Sequence, residues 1–404
     1  MHAIADRLAF GRRTRFHRER RGLTQGELGA LLNRSEDWVY RVESGRIPVN
    51  NLKMLTDLAA ALRIRLEDLL GSAALLDGRD ECDGHLPAIR SALMWSRHLA
   101  GGLYEGREPP RPERLTWEVG AAWSLYQSSQ YARLIGLLPA LLADVRLAAQ
   151  KHSAGPDKAR ALGLFALTCH VTAAVLRKRG ETDLAWTAAD QGDVAACESG
   201  DPAVILALRR CVAHVQLGAG MPAESVNTTL RAADGLPHGW WDSSPTSLSL
   251  YGTLLLNGAV AAARLRDRPL ADDLMTRATG AADRLGLDTD EMWTSFGPAN
   301  VEIHRLALAL EFDDVQLALE MAIGLRPSPK LPVERRARAR LDVARAYGEA
   351  GRTDEAAEQL KRAFRAAPEQ MRAHELARGL ARRLYKRSGR REVRELALGL
   401  GALD

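Results

Sequence analysis

The chain has 404 residues, 46% hydrophobic and 26% charged, long for one core and ordinary in balance for a globular protein. Its formal charge of +5 is uneven: residues 1–71 carry +4, residues 326–395 carry +10 and residues 72–325 carry −8, so a basic head precedes an acidic middle. No uninterrupted apolar run reaches the roughly 18 residues of a membrane span, and the four cysteines (Cys82, Cys169, Cys197, Cys211) show no CxxC spacing, which excludes a zinc signature and a disulfide framework.

The N-terminus, MHAIADRLAFGRRTRF, lacks a signal-peptide core, so a reducing, cytoplasmic location without membrane contact is expected. The head then reads LTQGELGALLNRSEDWVYRVESGRIPV. Thr24 and Glu27 form a capping box, and Leu23 with Leu28 form the matching hydrophobic staple, so a helix starts at 24 and runs to about Leu32. Asn33 and Arg34 turn the chain. Ser35 caps a second helix that ends at Gly45. At 100° per residue, Glu36, Asp37, Tyr40, Arg41 and Ser44 share one face of that helix. Val39 and Val42 sit opposite, with Trp38 beside Val42. Helix, short turn and helix is the helix-turn-helix plan.

Gly22-Leu23-Thr24-Gln25, Glu27-Leu28, Ser35, Val39, Val42-Glu43 with Gly45, and Leu55…Leu58-Ala59…Leu62 leading to Leu66-Glu67-Asp68-Leu69-Leu70 carry a resemblance. Over residues 7–71 the head resembles the lambda-repressor-like (XRE) helix-turn-helix family, which implies a five-helix DNA-binding domain. The resemblance implies that Gln25 meets phosphate and that Ser35, Glu36, Asp37, Tyr40 and Arg41 stand at or beside the base-reading positions. It also implies backbone contacts from Arg46, Asn50 and Lys53, and an internal ion pair between Arg18 and Glu43. Glu36 and Asp37 depart from the amides frequent at their positions. Carboxylates in a first turn suit the helix dipole, and a carboxylate can accept from cytosine N4. Either they read cytosine, or they only cap the helix while Tyr40 and Arg41 read. Seven arginines in residues 7–21 offset their repulsion from phosphate.

Residues 72–113 read as a linker with one helix, LPAIRSALMWSRHLA, closed by the PPRP run that no helix continues. From 114 to 404, Ala, Leu, Arg and Glu recur at helical spacing with regular Gly and Pro, which reads as all-α. About six helix pairs are expected from 114 to 367, then a closing helix at 369–387. Tyr347, Gly351, Ala356, Leu360, Ala363 and Pro368 fall at tetratricopeptide-repeat offsets. Such pairs stack into a right-handed solenoid with a concave side. The basic tail reads as solvated helix faces.

His170, His214, Asn257 and Asn300 are spaced 44, 43 and 43 residues apart, each in the first helix of a pair. Stacking places them in register on the concave side, one polar group per layer. Trp240, Trp241 and Trp293 sit on loops entering these helices, and His304 lies one turn beyond Asn300. These residues are the candidate ligand site of a mostly apolar pocket. The bland alternative is that the polar groups satisfy neighbouring backbone and the aromatics pack between repeats. The order of head and repeats resembles peptide-receptor regulators, and WTSFGPANVEIHRLALALEFDD is characteristic of XRE regulators in GC-rich filamentous bacteria. The implied function is that of a dimeric, sequence-specific transcriptional regulator on an inverted-repeat operator, controlled by a peptide or small-molecule signal, as in quorum sensing. The alternative is a protein-interaction scaffold or control by a partner protein. No HExxH, GxSxG, P-loop or GxGxxG frame occurs, so no enzyme activity, cofactor or metal is expected.

Overall fold

The computed structural model describes residues 2–49, 52–62, 64, 69, 85–94, 108–152, 154–236 and 239–403. It divides into two compact units, Met1–Glu81 and Cys82–Asp404. All regular structure among the described residues is helical.

In the first unit, α1 (His2–Arg20) precedes α2 (Gln25–Leu31), α3 (Glu36–Glu43) and α4 (Leu52–Leu62). The capping box forms as read: Thr24 Oγ1 accepts from the Glu27 amide at 3.1 Å, and the Thr24 amide donates to Glu27 Oε2 at 2.7 Å. Ser35 Oγ accepts from the Trp38 amide at 3.2 Å and caps α3. Leu28, Val39, Leu58, Leu62 and Leu69 fill the core between these helices. Two glycines let the helices approach. A Cβ on Gly11 would sit 2.3 Å from the Glu43 carbonyl oxygen, and one on Gly29 would sit 2.7 Å from that of Arg34. Of the expected fifth helix, Leu69 is described and the remainder of Leu66–Leu70 lies outside the described residues.

In the second unit, α5 (Leu86–Leu93) buries Ile89 and Leu93 in the main core. Six helix pairs follow: α6 (Pro112–Gln127) with α7 (Tyr131–Lys151), α8 (Pro156–Arg179) with α9 (Thr182–Ser199), and α10 (Pro202–Gly218) with α11 (Pro222–Asp234). Then come α12 (Pro245–Arg264) with α13 (Arg268–Leu285), α14 (Pro298–Glu311) with α15 (Val315–Gly324), and α16 (Val333–Glu349) with α17 (Thr353–Ala366). Most begin with proline at the first turn, where the missing amide costs no hydrogen bond. Successive first helices, α6, α8, α10, α12, α14 and α16, pack on one another, as a tetratricopeptide-like solenoid requires. Ala356, Leu360 and Ala363 are fully buried at the last pair, in line with their repeat offsets. The expected single closing helix at 369–387 is two, α18 (Pro368–Ala373) and α19 (Glu375–Ser388), because the chain turns extended at His374, and a further helix, α20 (Arg391–Gly399), follows the left-handed Gly389.

By length and composition α8 and α12 could cross a membrane, but 83% and 89% of their apolar windows are buried inside the unit. Helices apolar all round belong in a core, and these two form its centre.

The solenoid does not remain an open arc. Its last helices return to its first. Ser129 donates to Gln370 Oε1 at 3.0 Å, and the Ala132 amide donates to Glu369 Oε2 at 2.8 Å. Lys178 of the second pair forms an ion pair with Glu334 of the sixth. The concave side thereby becomes the lining of a partly open cavity.

Candidate nucleic-acid interface and ligand cavity

The cavity holds about 170 Å³ and is walled by the inner faces of α6, α8, α10, α12, α14 and α16. One end is aromatic. Trp123 and Trp293 stack with ring centroids 5.0 Å apart and planes within 6°, and Trp123 meets His170 edge-on at 4.7 Å. The rest is charged: Arg177, Lys178, Arg210, Arg264, Arg335 and Arg338 face Glu311, Glu334 and Asp342. Asp342, 1% exposed, accepts from Arg338 at 2.8 Å and Arg345 at 3.1 Å.

Burial and these cations set the protonation states. Burial first, then Arg210 and Arg177, hold the His170 imidazole well below its usual range. His214 is lowered in the same way, by burial and then Arg177. Burial and Arg335 bring His304 down to about 4. Burial pushes the Arg210 guanidinium down to about 10. Burial resists ionisation of Glu334, but Lys178 and then Arg335 draw its carboxyl down to about 2. The site is therefore a cage of neutral imidazoles and charged guanidiniums. The Cys169 and Cys211 thiols are raised to about 12 by burial, which leaves them inert as nucleophiles.

Strain gathers where Trp293 enters. Met292, Trp293 and Ser295 all have left-handed backbone, with φ of 48°, 55° and 51°. Asp290 holds this loop: its Oδ1 accepts from the Ser295 amide at 3.1 Å and from Ser295 Oγ at 3.0 Å. Gln127 Nε2 on α6 donates to both Asp290 oxygens, at 2.9 and 2.8 Å.

In the first unit, the face of α3 is displayed as its wheel requires. Val39 and Val42 are each 1% exposed, whereas Tyr40 is 44% exposed. Asp37 and Arg41 pair across one turn at 2.8 Å, with both side chains more than half exposed. Arg46 lies over the Tyr40 ring at 5.2 Å. Beneath this face, Arg18 donates to both Glu43 oxygens at 2.6 and 3.0 Å, both side chains buried. Gln25 Nε2 also donates to Glu43, at 2.8 Å, so the start of α2 is tied to the end of α3. The buried pair ties α1 to α3, Gln25 ties α2 to the same carboxylate, and the polar face of α3 is left outward.

Residues 9–70 match the helix-turn-helix domain family. No curated protein matches the chain. The crystal structure of Bacillus thuringiensis PlcR in complex with the peptide PapR7 and DNA is similar at 18% identity. That similarity covers 69% of this chain and 95% of that one with a TM-score of 0.35. A single-residue mutant of PrgX is similar at 8% identity over 96% of this chain and 99% of that one, with a TM-score of 0.29. At these scores the two likenesses place no residue and identify no ligand.

The structure brings Ser35, Glu36, Asp37, Tyr40 and Arg41 onto the helix-turn-helix domain's second helix or its cap, with Gln25 and Arg46 at the flanks. Asn50 and the Lys53 side chain lie outside the described residues. Of the residues expected around a ligand, His214, Asn257, Trp293 and His304 line the cavity, as does His170. Trp240, Trp241 and Asn300 do not. Trp240 packs on the main core, and Trp241 lies against Tyr251 at 5.1 Å with Arg284 over its ring. Asn300 is fully buried away from the cavity, with both side-chain polar atoms unpartnered. The reason is register. His214 and Asn257 are each the thirteenth residue of their helices, but Asn300 is the third of α14, because the strained loop delays that helix. His304, one turn on, takes the layer, with Nδ1 2.8 Å from the Asn300 carbonyl.

The mostly apolar pocket expected from sequence is instead strongly cationic. The basic tail read as solvated faces supplies Arg335 and Arg338 to its wall. The signal was present at helical spacing: Arg177 and Arg264 stand seven residues after His170 and Asn257, and Arg210 stands four before His214. Those offsets share a helix face.

Proposed function

We propose that this chain is a sequence-specific DNA-binding transcriptional regulator that acts as a dimer on an inverted-repeat operator. Its DNA affinity is set by a small signal bound in the cavity of the solenoid. The observation that carries this reading is α3: a helix capped by Ser35, anchored by Val39 and Val42, and displaying Glu36, Asp37, Tyr40 and Arg41 within a helix-turn-helix match. An exposed polar face on a helix of this plan fits the major groove. One such domain spans a half-site, so a two-fold pair matches an inverted repeat about one helical turn apart. Gln25, Arg46, Asn50 and Lys53 serve as backbone contacts in this reading, and the sensor residues are His214, Asn257, Trp293 and His304.

A mobility shift on the promoter region of the protein's own gene tests the proposal. Wild type should shift that fragment in the presence of excess unrelated duplex, and Arg41→Ala should relax the preference by about 1–3 kcal/mol at one base step while Gln25→Ala weakens both duplexes alike. Equal affinity of wild type for both duplexes would sink it.

A further inference from the structure

The cavity contains more positive charge than its own carboxylates neutralise. Glu334 is taken by Lys178, Asp342 by Arg338 and Arg345, and Glu311 lies 3.7 Å from Arg264. Among the described residues, Arg177 and Arg210 have no carboxylate partner, and Arg335 Nε stands 4.0 Å from the already paired Glu334. Arg210 is 7% exposed. Its Nε has no partner, and its Nη2 meets only the neutral His170 Nε2, at 3.4 Å. His170 is 3% exposed with Nδ1 also unpartnered. A guanidinium withdrawn from water without a counter-charge is costly to the fold. An anion entering this space supplies the missing charge and hydrogen-bond acceptors together.

Beside these cations lies the stacked Trp123–Trp293 pair. Trp123 is 2% exposed and covered on one face by Trp293, so a ligand meets the part-exposed Trp293 ring and the rim of the pair, which suits a small apolar group. Size limits the rest: an apolar cavity of roughly 150 Å³ accepts benzene, and this one holds about 170 Å³. The space among these side chains takes one ring or short branched chain with its acidic group.

We propose that the cavity binds a small organic oxyanion, a carboxylate or phosphate joined to a flat apolar body, with Arg210 as its buried anchor and Arg177 and Arg335 completing the charge. This rests on reading the cavity as the signal site, and it narrows the signal to a compact acid.

Calorimetric titration of the full chain with phenylacetate, phenyl phosphate and neutral phenylacetamide tests the proposal. At least one of the two acids should bind saturably at one site per chain, and the amide should not; the better acid identifies the oxyanion. Arg210→Gln and Arg335→Gln should each weaken that acid on the order of tenfold to a hundredfold. Arg383→Gln, an exposed position outside the cavity, should leave it unchanged. Far-UV circular dichroism checks that each variant keeps its helices. Absence of binding by both acids, equal binding of the amide, or undiminished binding by a folded Arg210→Gln overturns the site. A mobility shift with and without the acid separates the two claims. Binding that leaves DNA affinity unmoved keeps the anion site and removes its signalling role. DNA affinity altered by a neutral compound, equally in wild type and Arg210→Gln, keeps the regulation and overturns the anion site.

Discussion

Asp37 is an acid on a face proposed to meet a polyanion, and its neighbour explains how that is tolerated. It already pairs with Arg41 one turn away. An exposed pair of this kind is worth only about 0.3–0.5 kcal/mol, so base or phosphate contacts can displace it. Asp37→Asn should therefore release Arg41. If Asp37 only caps α3, sequences selected from a random pool stay the same while affinity for all of them rises. If it reads cytosine, the preferred base at one position changes instead. An unchanged sequence with unchanged affinity would leave Asp37 no part in DNA contact.

The buried imidazoles give a second test at this scale. His170, His214, His304 and His374 are all lowered by burial in the folded chain, His304 to about 4 from an ordinary 6.5. Below pH 6.5 the unfolded chain takes up protons that the folded chain refuses, so stability present above that pH is lost as pH falls. Thermal melts of the full chain should show Tm dropping steadily from pH 6.5 to about 4, and His304→Gln should flatten part of the slope. A Tm that rises over this window would contradict the burial of these groups.

At the scale of elements, the loop before α14 is anchored by a ring as well as by Asp290. Phe296 is fully buried, and a Cβ on Gly252 of α12 would lie 1.9 Å from its Cζ. Gly252→Ala should cost about 1–3 kcal/mol through overpacking. It should also disturb Trp293, visible as a change in tryptophan emission; an unaltered melt and emission would show that the ring yields freely. The loop also marks where sequence reasoning stopped. Caps, staples and apolar stripes are local, and Thr24, Ser35 and the Ala356–Leu360–Ala363 stripe stand where their spacing put them. The ladder of His170, His214 and Asn257 was legible for the same reason. Asn300 was not, because a loop that spends residues on left-handed backbone shifts helix register without changing sequence spacing. The cavity's charge was hidden for another reason: an arginine on a helix face reads as solvated until distant helices close over it.

For the whole second unit, closure is the decisive feature. Lys178 and Glu334 join the second helix pair to the sixth, with Glu334 buried and Lys178 nearly so. Lys178→Met alone should cost about 3 kcal/mol, because the charged Glu334 loses its nearest cation and keeps only the more distant Arg335. The double variant Lys178→Met with Glu334→Leu should recover most of that loss, since a packed apolar pair often matches a buried ion pair. Urea denaturation of the full chain reads both; a single variant as stable as wild type would mean that the ring does not depend on this contact.

The outward face of α3 is proposed to read DNA as one half of a two-fold pair. Selection of bound duplexes from a fully randomised pool by the full-length protein tests it most directly. One enriched motif is expected, an inverted repeat with half-site centres about one helical turn apart, relaxed at one base step in Arg41→Ala. Recovery of duplexes with no shared sequence, or of a motif indifferent to Arg41→Ala, would contradict it.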